Sequence, residues 1–259
     1  MGMEVSQRRR RVFETVKARG EVHVQALIDE LGVSGMTVRR DLSVMEQQRL
    51  IRRAYGKAIW IADDYYEVTS FEARCAAQRE AKQRIAKLAA EHLRGVSSLF
   101  VDGSSTCREL VCRLPRDQKM SVYTNSLAAV QVLRSMPWVK TFVLGGFLTE
   151  DQNSLDSDAT VSLVKSVYVD AAFVSCSGFS TRGLVNNGLS EARLKGIMMD
   201  NAERTYLLAD HTKWNARALF DISRWERIHT FITDAAVDAT LMKTLRAKNV
   251  RVQWPEGKT

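Results

Sequence analysis

The stretch Val33-Ser34-Gly35-Met36-Thr37-Val38-Arg39-Arg40-Asp41-Leu42 (VSGMTVRRDL) decides how the head of the chain folds. Read at about 100° per residue, Val38, Leu42 and Met45 share one narrow face of a helix. Met36, Arg40, Ser43 and Gln47 fall opposite, with Thr37 and Arg39 on the flanks. The two arginines therefore occupy an outer face and leave the apolar stripe unbroken. Two uses fit such a face. One is a solvated surface with Asp41 or Glu46 as local partners; the other is a surface that meets a polyanion.

Working outward toward the N-terminus, Ser34 caps this helix and Gly32 supplies the backbone freedom of the turn before it. Val24 to Leu31 reads as a second helix burying Ala26, Leu27, Ile28 and Leu31. Glu21 to His23 is a short extended piece. Gly20 ends a first helix that Ser6 can cap, with Val12, Phe13 and Val16 on one side. Toward the C-terminus, IRRAYGKAIW (51–60) reads as a two-stranded basic wing turning at Tyr55-Gly56-Lys57. The order is that of a winged helix-turn-helix, whose second helix lies in the major groove. Arginine there can pair with guanine in bidentate fashion or grip phosphates. The candidate DNA contacts are Gly35, Met36, Thr37, Arg39, Arg40 and Ser43 on the helix. Arg52, Arg53 and Lys57 of the wing, and the run Arg8 to Arg11, would lie along the backbone.

Charge agrees with this placement. Residues 1–60 hold 12 basic against 7 acidic side chains, whereas the other 199 residues hold 26 against 23. A basic head on a nearly neutral body suits a polyanionic partner. The four cysteines, Cys75, Cys107, Cys112 and Cys176, have no metal-ligand spacing and are too few for a disulfide scaffold. They read as reduced thiols of a cytoplasmic protein. No apolar run approaches membrane-spanning length. No metal and no cofactor is expected.

Residues 61–77 read as a linker and 78–259 as one domain. A helix spans roughly 78–93, with Ile85, Leu88, Ala89 and His92 inward and His92 packed rather than ligating. From Ser97 the rhythm is strand, loop, helix: SSLFVD, MSVYTN, KTFVLGG, DAAFVSCS, RTYLLAD, IHTFITD and VRVQW are candidate strands. Such alternation argues for an α/β domain with a largely parallel sheet. Ligands of such sheets bind beyond the carboxyl ends of the strands. The loop Asp102-Gly103-Ser104-Ser105-Thr106 is a phosphate-cradle candidate there, or else an ordinary capped helix start. Asn125, Gly178, Asp210 and Lys213 end later strands. Glu191 and Lys195 are four apart on a helix, either in the site or as a surface pair. Asp210 can equally cap a turn.

The head resembles the winged helix-turn-helix of the DeoR family of bacterial transcription regulators, above all in Val33-Ser34 and Thr37 through Leu42. It departs from the family's pattern at Arg49 and at Gly56-Lys57. Residues 78–234 resemble the family's effector domain, which is related in fold to ribose-5-phosphate isomerase and the coenzyme A transferases. The resemblance implies a repressor of a carbohydrate operon that binds double-stranded operator DNA and responds to a phosphorylated sugar or related metabolite. It places Asp102, Gly103, Ser105, Thr106, Asn125, Gly178, Glu191, Lys195, Asp210 and Lys213 around that effector. A lone winged head has a small footprint, so a homodimer or higher oligomer formed through the body is expected, with no membrane partner and no enzymatic role. The competing expectation is an active isomerase or transferase using Asp102, Glu191 or Lys195 as acid and base.

Overall fold

A computed structural model describes residues 8, 11–12, 15–16, 18–47, 51–54, 56–60, 70–149, 153–216, 218 and 220–258. Ser6, Arg9, Arg10, Phe13, Arg49 and Tyr55, and the side chain of Arg52, lie outside them. The chain forms two compact units, Met1–Glu67 and Val68–Thr259.

In the head, Arg8, Arg11, Val12, Thr15, Val16, Ala18 and Arg19 are helical. Then follow β1 (Glu21–His23), α1 (Val24–Leu31), α2 (Gly35–Gln47), β2 (Ile51–Ala54) and β3 (Lys57–Trp60). Gly32 closes α1 in the left-handed region (φ 62°), its N–H returning to the Ile28 carbonyl. Glycine takes that conformation without the Cβ penalty. The Ser34 hydroxyl accepts from the Thr37 N–H at 3.3 Å, the cap expected for α2. Val38, Leu42 and Met45 are buried together with Val12, Val16, Val22, Leu27, Ile51 and Ala58. Burying each large member contributes about 1.5–3 kcal/mol. Ala26, Ile28 and Leu31 are only partly buried against this core.

The wing differs from the two-stranded hairpin expected. β1 pairs antiparallel with β3, giving a three-stranded sheet in the order β1-β3-β2. A three-residue strand carries too little pattern to reveal its partner, and the pairing satisfies backbone groups on the outer edge of β3.

The body begins inside the stretch read as linker. Ser70 caps α3 (Phe71–Ala76), and Phe71 is buried. α4 (Arg79–Ala90) continues as a 3₁₀ turn to Leu93. The expected strands follow as β4 (Ser98–Val101), β5 (Met120–Thr124), β6 (Val139–Val143), β9 (Val169–Val174), β12 (Ala202–Leu208), β14 (Thr230–Ile232) and β15 (Arg251–Trp254). Helices α5 (Ser105–Val111), α6 (Leu127–Leu133), α7 (Asp158–Lys165), α8 (Leu189–Asp200) and α9 (Ala239–Ala247) lie between them. A terminal strand, β16 (Gly257–Lys258), pairs antiparallel with β15. The sheet order is β16-β15-β14-β12-β9-β4-β5-β6, parallel throughout except for β16.

Alternation along the strands divides the core. Leu99, Val101, Ala171, Phe173, Tyr206, Leu208 and Ile232 face one layer with Ile85, Ala89 and Leu110. Phe100 and Ala172 face the other with Val161, Val164 and Met198, as do Leu207 and Phe231 with Leu241 and Leu245. Helices thus cover both faces, as a parallel sheet requires. Two features are not expected from the sequence. One is the hairpin of β7 (Phe147–Leu148) and β8 (Leu155–Asp156). The other is the small antiparallel sheet of β10 (Gly178–Ser180), β11 (Gly183–Asn186) and β13 (Phe220–Ser223).

Candidate functional site

Two sites are built by these units. On the head, α2 presents Met36, Arg39 and Arg40 to solvent, Met36 at 79% exposure. Among the described residues neither arginine forms an ion pair, whereas Arg8, Arg53 and Lys57 each do. Arg53 Nε meets Glu46 at 2.6 Å, its backbone N–H donates to the same carboxylate, and its Nη1 donates to Ser43 Oγ at 2.9 Å. Burial alone would raise the Glu46 carboxyl; these contacts outweigh it and hold the group below its ordinary range. Lys57 meets Glu21 at 2.7 Å, and Arg8 meets Asp41, 1% exposed, at 2.6 Å. Asp41 is therefore no partner for Arg39 and Arg40, and Glu46 is occupied by the wing. Arg53, expected along a phosphate backbone, braces the wing against α2. Gly35 serves the interior too: a Cβ there would meet Ile28 Cδ1 at 3.1 Å.

In the body the chain runs β4, β5, β6 toward one edge, then returns to β9 and continues through β12, β14 and β15 toward the other. Direction reverses between β4 and β9, the topological switch point at which such sheets bind ligands. Asp102 leaves β4 here and Ser175 leaves β9. The Asp102 carboxylate accepts from the N–H of Ser104 (2.9 Å), the N–H of Ser175 (2.8 Å) and the ammonium of Lys195 (2.7 Å). Lys195 also donates to the Ser175 carbonyl at 3.0 Å. Asp102 is 2% exposed and Lys195 6%. Burial opposes both charges, but each outweighs it for the other. The Asp102 carboxyl is held below, and the Lys195 ammonium above, its ordinary value. The surface-pair reading of Glu191 with Lys195 fails: Lys195 turns inward to Asp102, and Glu191 instead accepts from Asn186 Nδ2 at 2.9 Å.

Lys213 reaches the same place from the end of β12. Its ammonium donates to Ser175 Oγ (3.1 Å) and to the Cys176 carbonyl (2.7 Å), both neutral groups. Asp210 caps the turn that carries Lys213, accepting from the Thr212 N–H at 3.1 Å. Ser104 caps α5 through the Cys107 N–H, and Ser105 is buried behind it. Among the described residues, the fully buried Thr106 hydroxyl has no hydrogen-bond partner, and the buried Asn125 Oδ1 and Asn187 Oδ1 have none either. Asn125 is anchored through its amide nitrogen to the Leu155 carbonyl at 3.0 Å. The loops close tightly. A Cβ at Gly103 would overlap Ser154 Oγ, and one at Gly178 would overlap the Ala216 carbonyl. Gly178→Ala should destabilise the body by about 1–3 kcal/mol, read as a lower urea midpoint, because backbone must shift.

Most of the expected effector residues thus gather on the β4 and β9 ends. Gly178 and Glu191 join through Ser177, Asn186 and Asn187, since Ser177 Oγ meets Asn186 Oδ1 at 3.3 Å. Three features were missed: Asn153, whose amide holds the Gly103 carbonyl at 2.9 Å; Ser175 itself; and the buried Lys82 of α4. The four cysteines are free. Burial pushes the Cys107 thiol well up and Cys176 to about 11, so neither is a thiolate at neutral pH. No group of His, Cys, Asp and Glu among the described residues could hold a metal ion.

Comparison with known proteins accounts for both units. Residues 8–63 match the DeoR-like helix-turn-helix domain, and residues 77–235 match the DeoR C-terminal sensor domain. The chain belongs to the DeoR family. Two of its relatives match over nearly their whole length. The HTH-type transcriptional regulator YulB of Bacillus subtilis is 30% identical over 96% of each chain. The glycerol-3-phosphate regulon repressor of Escherichia coli is 27% identical over 97% of this chain and 99% of its own. Ribose 5-phosphate isomerase A of Methanocaldococcus jannaschii superposes on 54% of this DeoR-family chain, and 56% of its own, with a TM-score of 0.40 and 15% identity. The DeoR signature in α2 is the surface that keeps Arg39 and Arg40 outward. The DeoR sensor domain is the unit whose switch point gathers Asp102, Ser175, Lys195 and Lys213.

Proposed function

We propose that this DeoR-family regulator represses a carbohydrate-utilisation operon. It binds double-stranded operator DNA through α2 and the wing, and a phosphorylated sugar or related metabolite in the switch-point cleft releases it. One observation carries the effector half: among the described residues, the Lys213 side chain at the switch point meets only a hydroxyl and a carbonyl. An ammonium so placed is ready for a charge-assisted bond to a phosphate oxygen. The repressor names of relatives such as the Escherichia coli glycerol-3-phosphate regulon repressor support the same assignment.

The cleft binds rather than turns over its ligand. Its carboxylate and its buried ammonium neutralise each other, and Glu191 is held by Asn186, so the three groups named for acid–base work are already engaged. Turnover of ribose 5-phosphate, abolished by Glu191→Gln, would restore the enzymatic alternative. A single winged head has a small footprint on DNA, so we further assign the body to homo-oligomerisation. Its operator places the protein in the bacterial cytoplasm, on the nucleoid when bound.

Lys213→Met tests the effector half. Operator affinity in gel shifts should stay within about twofold, while the sugar phosphate that releases the wild-type protein should lose at least about tenfold in potency. An unchanged effector titration would remove Lys213 from the site.

A further inference from the structure

Lys213 is presented by a single 3₁₀ turn, His211–Lys213, beyond the end of β12. Such a turn holds itself poorly, because its hydrogen bonds have weaker geometry than those of an α-helix. The N–H groups of Lys213 and Trp214 return to the carbonyls of Asp210 and His211 at 3.1 Å each. At the first residue of the turn, a further fastening comes from the neighbouring strand. Asp234 follows the end of β14, and its side chain is 2% exposed. One carboxylate oxygen accepts from the His211 backbone N–H at 2.8 Å. The other meets His211 Nδ1 at 2.8 Å. An ionised carboxylate only accepts, so in the neutral ring the proton sits on Nδ1. Arg84 of α4 stands 3.6 Å from that second oxygen and 4.0 Å from Glu80. Its guanidinium compensates a carboxylate that burial would otherwise penalise. The contacts are continuous: Asp234 holds His211, the turn carries Lys213, and Lys213 reaches Ser175 Oγ and the Cys176 carbonyl beyond β9.

We propose that Asp234 is a positioning residue for the effector lysine: its two bonds to His211 pin the 3₁₀ turn and so place the Lys213 ammonium at the switch point. This rests on the anionic-effector reading above. A lysine side chain has many rotamers, and a backbone left loose beneath it adds to the ordering cost of gripping a ligand. Pinning the turn removes part of that cost before the ligand arrives.

Hydrogen–deuterium exchange and effector titration of the full-length protein test this, with ribose 5-phosphate, fructose 6-phosphate and inorganic phosphate as probes. Without a probe, Asp234→Ala should speed exchange of residues 211–214 by at least about tenfold and leave β4 and β9 unchanged. Asp234→Asn should restore protection, since its amide oxygen still accepts the His211 N–H and its amide nitrogen can donate to Nδ1. The ring proton then moves to Nε2, a change of tautomer that nitrogen NMR of the His211 ring reads directly. A probe that binds the wild type, by thermal shift, should lose at least about tenfold in affinity for Asp234→Ala and less than about threefold for Asp234→Asn. In a Lys213→Met background, Asp234→Ala should cost no further affinity. His211→Pro serves if Asp234→Ala does not fold, because it removes both donors at a helix-start position that tolerates proline. Unaltered exchange of residues 211–214 in Asp234→Ala overturns the pinning. So does a loss of probe affinity that adds in full to that of Lys213→Met. If no probe binds the wild type, or Lys213→Met binds as the wild type does, the effector reading falls and the positioning role with it. A loss in Lys213→Met without one in Asp234→Ala removes only the positioning role.

Discussion

Replacing Asp102 by asparagine lowers the stability of the sensor by about 3–5 kcal/mol, the loss expected when one partner of a buried ion pair is removed. The Asp102 carboxylate satisfies three donors, the N–H groups of Ser104 and Ser175 and the Lys195 ammonium. An amide has one acceptor oxygen in place of two and brings donors where donors already converge. Lys195 would keep its charge in a 6% exposed position with only the Ser175 carbonyl left. Urea unfolding followed by tryptophan fluorescence reads the loss, since Trp225 is buried in the sensor core. Lys195→Met paired with Asp102→Leu should be less damaging than Asp102→Asn alone, because no buried charge is left unpaired. A loss below about 1 kcal/mol for Asp102→Asn would contradict the pairing.

The same pair fixes the pH dependence. An unfolded aspartate titrates near ~3.9, and the folded Asp102 carboxyl lies below that. Its contribution is fully present above ~4 and is lost as pH falls through the folded value. The folded Lys195 lies above its ordinary value. Its contribution is fully present below ~10.4 and is lost as pH rises through the folded value. Stability of the sensor is therefore expected to be flat, as far as this pair is concerned, across the neutral range.

The second large effect is on DNA. Arg39→Ala together with Arg40→Ala should weaken operator binding by about 2–6 kcal/mol, at about 1–3 kcal/mol for each arginine that reads a base. An arginine on a phosphate instead weakens binding to all sequences alike and lowers the salt slope by about one. Single substitutions separate the two cases by comparing operator with scrambled duplex. Folding of the head should change by less than about 0.5 kcal/mol, because both side chains are exposed and neither is paired among the described residues. Arg53→Ala is the contrasting control. It releases Glu46 and Ser43, so it should loosen the wing as well as weaken binding.

The head was the most legible part of the sequence. Its turn is local: Gly32, Ser34 and the stripe Val38, Leu42, Met45 act within a dozen residues, and α1 spans the residues read for it, Val24–Leu31. The parallel strands were legible for a similar reason, since the central ones, β4, β9 and β12, are short apolar runs buried along most of their length. What failed was non-local. Three residues at Glu21–His23 gave no sign of pairing with β3, and Ser70 capping Phe71–Ala76 was hidden in a stretch with weak periodicity. Lys195 looked like the partner of Glu191 four residues away. Only the fold brings it to Asp102, 93 residues distant. Lys82 had no signal at all, because a lysine beside apolar positions ordinarily extends its charge to water.

The most direct test of the central claim is one titration. The full-length protein is titrated against fluorescent duplex from upstream of its own gene, with and without each sugar phosphate, at moderate salt. This duplex is expected to be bound at least about a thousandfold more tightly than scrambled sequence, and to be released by one of the phosphates. Equal affinity for both duplexes, or tight binding that no phosphate shifts, would contradict it.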